Sequence, residues 1–247
     1  MTPALLVRAV NTAPDSENKM HDDRVAAEYG FRGGLVPGVT LYGYMTVPVL
    51  KVLGPEWLRR GAMDVRFFQP FYEGEEVAIS TADLPEGRIK IEASTRASAT
   101  AWIHNDPQGA DLPAEFSASK REPSRETIRP GMTLATLEKI LDLSQQSVSA
   151  PYDAFIGPER FAHPAIILGL ANELLMHNYN LGPWIHSSSE VRNAQPARDG
   201  DHLHVRGKIV DAYERKGHEF VMFDAAILSG GHLLTRIRHT AIWKPRK

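Results

Sequence analysis

A single histidine, His21, lies in a polar loop with carboxylates on either side: Asp15, Glu17, Asp22 and Asp23. An imidazole held beside a carboxylate can take up and return protons near neutral pH, which is the requirement of general acid–base chemistry. Asp15 or Glu17 is the expected partner of His21, with Asp22 a less favoured choice. A little further on, Val36-Pro37-Gly38 opens an apolar stretch. The exposed N–H groups of a helix start stabilise negative charge. Gly38 would let a bound group come close to the backbone there. Read blandly, the same residues are a solvated acidic loop with a surface histidine, followed by a plain helix start.

The elements that must position these residues follow from periodicity. Residues 22–29 read as a short helix with Val25, Ala26 and Tyr29 on one face, and Gly30, Gly33 and Gly34 mark a turn after it. Residues 39–53 form a helix that is apolar nearly all round, so it should be buried. Pro37 sits at its start, Gly54 ends it, and Pro48 inside should kink it. Strand-like segments follow at 62–69, 76–82, 88–96 and 100–104, with a tight turn at Pro85-Glu86-Gly87. One long helix followed by consecutive strands is an α+β pattern.

The chain also matches itself at a fixed offset of 126 residues. Val65-Arg66 recurs as Val191-Arg192, Gln69-Pro70 as Gln195-Pro196, and Gly74 as Gly200. Upstream, Gly43 maps to Gly169 and Tyr29 to Phe155. Two copies of one supersecondary unit are expected, residues 1–122 and 123–247, joined within the proline-rich tract 105–130. The second copy should hold a buried helix at 165–177 and strands at 191–195, 202–211, 218–228 and 233–243. The register sets Ser147 against His21 and His163 against Pro37, so one active site per chain is expected, within the first copy. His163 then either contacts a ligand or is a packed or capping histidine. Ile166, Ile167, Leu170 and Leu174 would line the tail of a ligand.

Composition narrows the field. A formal net charge of -2 argues against a nucleic-acid partner. The absence of cysteine excludes disulfides, thiolate metal sites and a cysteine nucleophile. No run is long enough for a membrane span, and the first residues turn polar too soon for a signal peptide, so a cytoplasmic protein is expected. His202 and His204 share a strand face, but no third metal ligand is evident. Arg66 and Arg192 either face a phosphate or pair with Asp64 and Glu190.

The loop and helix together resemble the signature of the MaoC-like, (R)-specific enoyl-CoA hydratases of the hotdog fold. Asn18 and His21 keep the spacing of its Asn and His, and Ala27, Phe31 and Gly38 keep theirs. Ser16 stands where that signature has Asp, Lys19 where it has Pro, and Pro37 where it has a second His. The resemblance implies a double hotdog, two repeats each with a long central helix wrapped by an antiparallel sheet. It implies hydration or dehydration of an acyl thioester carried by coenzyme A or a carrier protein, with no cofactor and no metal. His21 would be catalytic with Asp15 or Glu17, and Asn18, Val36, Gly38, Tyr42 and His163 would contact substrate. A monomer acting as a pseudo-dimer, or a homodimer of double hotdogs, is the expected assembly. A hotdog thioesterase and a non-catalytic acyl-binding hotdog are the alternatives.

Overall fold

The computed structural model describes residues 5–105, 111–144 and 161–247. Ser147 and Phe155, which entered the repeat register, lie outside the described residues. Among the described residues ten strands make one sheet: β1 (Leu5–Arg8), β2 (Gly61–Phe67), β3 (Glu76–Leu84), β4 (Arg88–Ala93), β5 (Ala97–Ile103), β6 (Thr133–Ile140), β7 (Ile185–Asn193), β8 (His202–Arg215), β9 (His218–Ser229) and β10 (His232–Lys244). Their order across the sheet is β1-β3-β4-β5-β2-β7-β10-β9-β8-β6, all pairs antiparallel. The order reads alike from both edges toward the central pair β2–β7. In that pair Asp64 lies opposite Glu190, the two residues that the offset makes equivalent. Arg192 sits between these like charges, 2.6 Å from Asp64 and 3.9 Å from Glu190, which is the pairing alternative for this arginine.

Among the described residues the helices are α1 (Asp23–Glu28), α2 (Gly38–Leu53), α3 (Trp57–Arg60) and α4 (Pro164–Asn178). From Thr40 to Leu50 every residue of α2 is buried, as its unbroken apolar character requires. Tyr44, Met45 and Val49 are fully enclosed, and burying such side chains contributes roughly 1.5–3 kcal/mol each. Gly54, at φ 70°, ends the helix in a backbone conformation that other residues rarely adopt. Helix α2 packs on β3, β4 and β5, α4 packs on β6, β8 and β10, and the two helices touch each other.

Three elements depart from expectation. Helix α3 is a single turn, too short to leave a periodic signal. Strand β6 falls just past the proline tract, and a register shift between Leu134 and Leu137 breaks the alternation that marks a strand. Strand β7 starts at Ile185, well before residue 191, because His186-Ser187-Ser188-Ser189 lacks strand-like apolar residues. Its partners β2 and β10 make it a strand.

Candidate active site

Asn18 is the pivot of the loop. Its side-chain oxygen accepts from Met20 N at 3.2 Å, capping the short turn Lys19–His21. The same oxygen accepts from Trp184 N at 3.1 Å, and its NH₂ donates to Trp184 O at 3.0 Å. Asn18 is buried, and it ties the loop to the backbone just before β7. The remaining amide hydrogen points to His21 Nε2 at 3.3 Å.

His21 Nδ1 lies 2.7 Å from Leu35 O. A carbonyl only accepts, so Nδ1 carries the proton and Nε2 keeps its lone pair. Burial lowers the pKa of His21 below the ordinary histidine value, and the Leu35 carbonyl opposes that less strongly. The ring is therefore neutral at pH 7 and oriented at both nitrogens. The backbone beneath it is held as well: Asn11 donates to His21 O at 2.8 Å. A Cβ on Gly34 would lie 2.1 Å from that oxygen, so the turn needs glycine to pass. Asp22 does not face the imidazole; it caps α1 by accepting from Val25 N.

These groups open on a cavity of about 230 Å³. Asn18, His21, Val36 and Gly38 line it from the first half, with Phe67 to Phe71 along one wall. Trp184, His186 and Asn172 line it from the second half. The first helical N–H groups to find an acceptor are those of Thr40 and Leu41, on Pro37 O. The Gly38 N–H lies upstream of that ladder at the cavity wall, and Pro37 makes no side-chain cap.

Four expected residues are placed elsewhere. Asp15 and Glu17 are exposed, and Glu17 is paired with Lys120. Neither lines the cavity, and among the described residues no carboxylate does. Ser16, at the position of the signature's Asp, bonds Asn18 O at 3.1 Å. Tyr42 is fully buried and lines a separate space of about 20 Å³ with Pro164, Ile167 and Gln195. His163 accepts from Ala165 N at 3.0 Å, the capping alternative for this residue. Burial pushes its imidazole down to about 3. Of α4 only Asn172 reaches the main cavity; Leu170 and Leu174 are core residues, and Ile167 borders the smaller space.

His186 and Trp184 were not singled out from sequence. Both come from the segment where β7 starts early, and no spacing in the chain links them to His21. Of the pair His202 and His204, only His204 acquires company: Glu115 and Glu138 bring oxygens within 4.8 Å of its nitrogen. Both glutamates are exposed to solvent, and Glu115 already pairs with Arg206 at 2.7 Å.

No protein-family model matches the chain, and no curated protein matches it. Solved structures do. A MaoC-like dehydratase is 12% identical, with 91% of this chain and 89% of that chain covered and a TM-score of 0.57. A conserved hypothetical protein of Mycobacterium tuberculosis with a double hotdog fold is 14% identical, covering 98% and 96%, at a TM-score of 0.61. An acyl-CoA thioesterase II of Mycobacterium marinum is 11% identical, covering 87% and 91%, at 0.50. At such identities the likeness is one of fold: the chain has a hotdog fold, with a large antiparallel sheet and few helices like these neighbours. Among the described residues no helix is long and apolar enough to cross a membrane.

Proposed function

We propose that the chain is an acyl-thioester hydratase or dehydratase, with His21 as its acid–base group. The observation that carries this reading is a neutral histidine, fixed by Leu35 O and Asn18, sharing an apolar cavity with the bare N-terminus of a buried helix. In the hydration direction Nε2 takes a proton from water while the water oxygen bonds to the β-carbon. The α–β electron pair moves onto the thioester oxygen, where helix N–H groups stabilise it. The resulting enolate collapses as the α-carbon takes the proton back from His21. One base suffices for this sequence, so the reading does not need Asp15 or Glu17.

The two halves are read as copies of one hotdog unit, each a helix wrapped by five strands and joined within residues 105–130. The matched strand order and the Asp64–Glu190 pairing support it. The monomer would then serve as its own pseudo-dimer. Coenzyme A or a carrier protein would hold the acyl group, in a cytoplasmic protein.

A second reading is acyl binding without turnover. It is favoured by the lack of a carboxylate among the described residues that line the cavity. Purified protein with crotonyl-CoA separates the possibilities. Loss of the enoyl absorbance without free thiol is the expected result. Thiol release would mean a thioesterase, and neither signal would mean a binding protein.

A further inference from the structure

We propose that Asn172 is a specificity-determining residue of this cavity, and that the acyl group it selects carries a hydroxyl or keto oxygen beyond the β-carbon. The proposal rests on the acyl-thioester reading of the cavity and narrows it to a class of substrate. Asn172 lines the cavity, and its side chain makes no hydrogen bond to any described residue. The amide oxygen is enclosed without a partner, whereas the NH₂ is not enclosed. The end of the amide that stands open at the cavity is therefore the NH₂, a donor. Turning the amide over would enclose two N–H donors without an acceptor in place of one oxygen, and an orphaned buried N–H is the rarer of the two.

Packing does not ask for an amide at this place. The buried asparagines among the described residues all use theirs. Asn18 clamps the Trp184 backbone, Asn178 bonds Ala135 at both N–H and C=O, and Asn193 donates to Trp57 O. The 126-residue offset sets Thr46 of α2 against Asn172. Thr46 satisfies its hydroxyl inside its own helix, donating to Gly43 O at 2.7 Å. An unpaired amide in a cavity wall costs stability that an apolar side chain of the same size would not. A ligand that brings an acceptor gains a hydrogen bond there, and an apolar ligand must strip water from the NH₂ for nothing.

The reaction limits where that acceptor can be. Hydration uses the α- and β-carbons, and the thioester oxygen is the group that the start of α2 would meet. An oxygen left for Asn172 belongs further along the acyl chain. Among the described residues no lysine or arginine lines the cavity, and burial lowers the pKa of both His21 and His186. A carboxylate would enter without a counter-ion, a cost that a hydroxyl or a ketone does not carry. Leu35, Leu41 and Phe71 offer apolar contact to the carbon chain. Asn172 would read its one polar atom, and a site built to hydrogen-bond a substrate oxygen rejects the analogue that lacks it.

Saturated acyl-CoA ligands, matched so that an oxygen replaces a methyl group, test this without any turnover. Calorimetry compares 4-oxopentanoyl-CoA with 4-methylpentanoyl-CoA, and 5-oxohexanoyl-CoA with 5-methylhexanoyl-CoA. In at least one pair wild type should bind the keto ligand about tenfold more tightly, the worth of one hydrogen bond. Asn172→Leu should lose or reverse that preference. Its thermal midpoint should be equal or higher, since it removes an enclosed oxygen that has no partner. No keto preference in either pair with wild type, or one that survives in folded Asn172→Leu, would overturn the proposal. A keto preference that depends on Asn172, in a protein that never hydrates crotonyl-CoA, would remove the hydratase reading and leave the Asn172 assignment standing.

Discussion

The two long helices begin at places that the 126-residue offset sets against each other, Pro37 and His163, and are treated in opposite ways. At α2 the start is Pro37-Gly38, with no side-chain cap and a cavity of about 230 Å³ beside it. At α4 the start is His163-Pro164. There the imidazole caps an N–H, the proline removes another, and Tyr42 borders the residual space of about 20 Å³. One fold thus has one helix end left for a ligand and one closed by its own side chains. The closed end shows what stability alone asks for, since orphan N–H groups are normally satisfied. The open end is the costlier arrangement, and it is the end beside His21.

The comparison is broken most severely at the open end. Replacing His21 by Ala should lower hydratase turnover on the order of 10²–10⁴-fold, the range for an acid–base group. His21 is not the freely exposed loop residue that its polar surroundings suggest, so the variant should also lose about 1 kcal/mol in chemical denaturation. Undiminished turnover would move the chemistry elsewhere. At the closed end Tyr42→Ala should cost about 3–5 kcal/mol, as large-to-small changes in a core do. It should spare turnover at His21, and a loss of activity in the folded variant would show that the two ends are coupled.

Asn18→Ala leaves the Trp184 N–H and C=O without their partners, so a loss of about 1–3 kcal/mol is expected. Its turnover should fall as well, because His21 loses the contact at Nε2; normal stability and normal turnover together would show that the clamp is incidental.

Acid should act on both ends. His163 and His186 have folded pKa values near 3, depressed from about 6.5 in the unfolded chain. Below about 6.5 the unfolded chain binds protons that the folded one refuses. Their contribution is therefore present above that pH and is lost progressively as pH falls toward 3. The thermal midpoint should decline over that window, and a midpoint that stays flat to pH 4 would contradict burial of neutral histidines. Turnover should hold at neutral pH and fall only below the usual histidine range, since His21 is also depressed. The smallest effect belongs to Tyr42→Phe. The Tyr42 hydroxyl is buried without a partner, so its removal should be neutral or stabilising by up to about 1 kcal/mol.

Local chemistry was legible in the sequence where one segment suffices. The buried helix α2, its glycine stop, and the grouping of Asn18, His21, Val36 and Gly38 all come from the stretch 18–54, so spacing and periodicity carry them. Asp15 and Glu17 read as partners of His21 because they lie near it and flank Ser16, the place of the signature's Asp, yet the turn sends both to solvent. His186 was illegible for the opposite reason. It reaches the cavity across the central strand pair, and a contact made by sheet pairing leaves no interval in the chain to read. Leu170 and Leu174 look suited to a ligand because core and acyl tunnel ask for the same residues.

Titration of the protein with a non-hydrolysable acyl-CoA analogue, followed by calorimetry, tests the central claim most directly. One open helix end predicts one molecule bound per chain, with binding abolished or greatly weakened by Gly38→Leu, whose side chain would fill the cavity wall. Two equivalent sites per chain, or one site indifferent to Gly38→Leu, would contradict it.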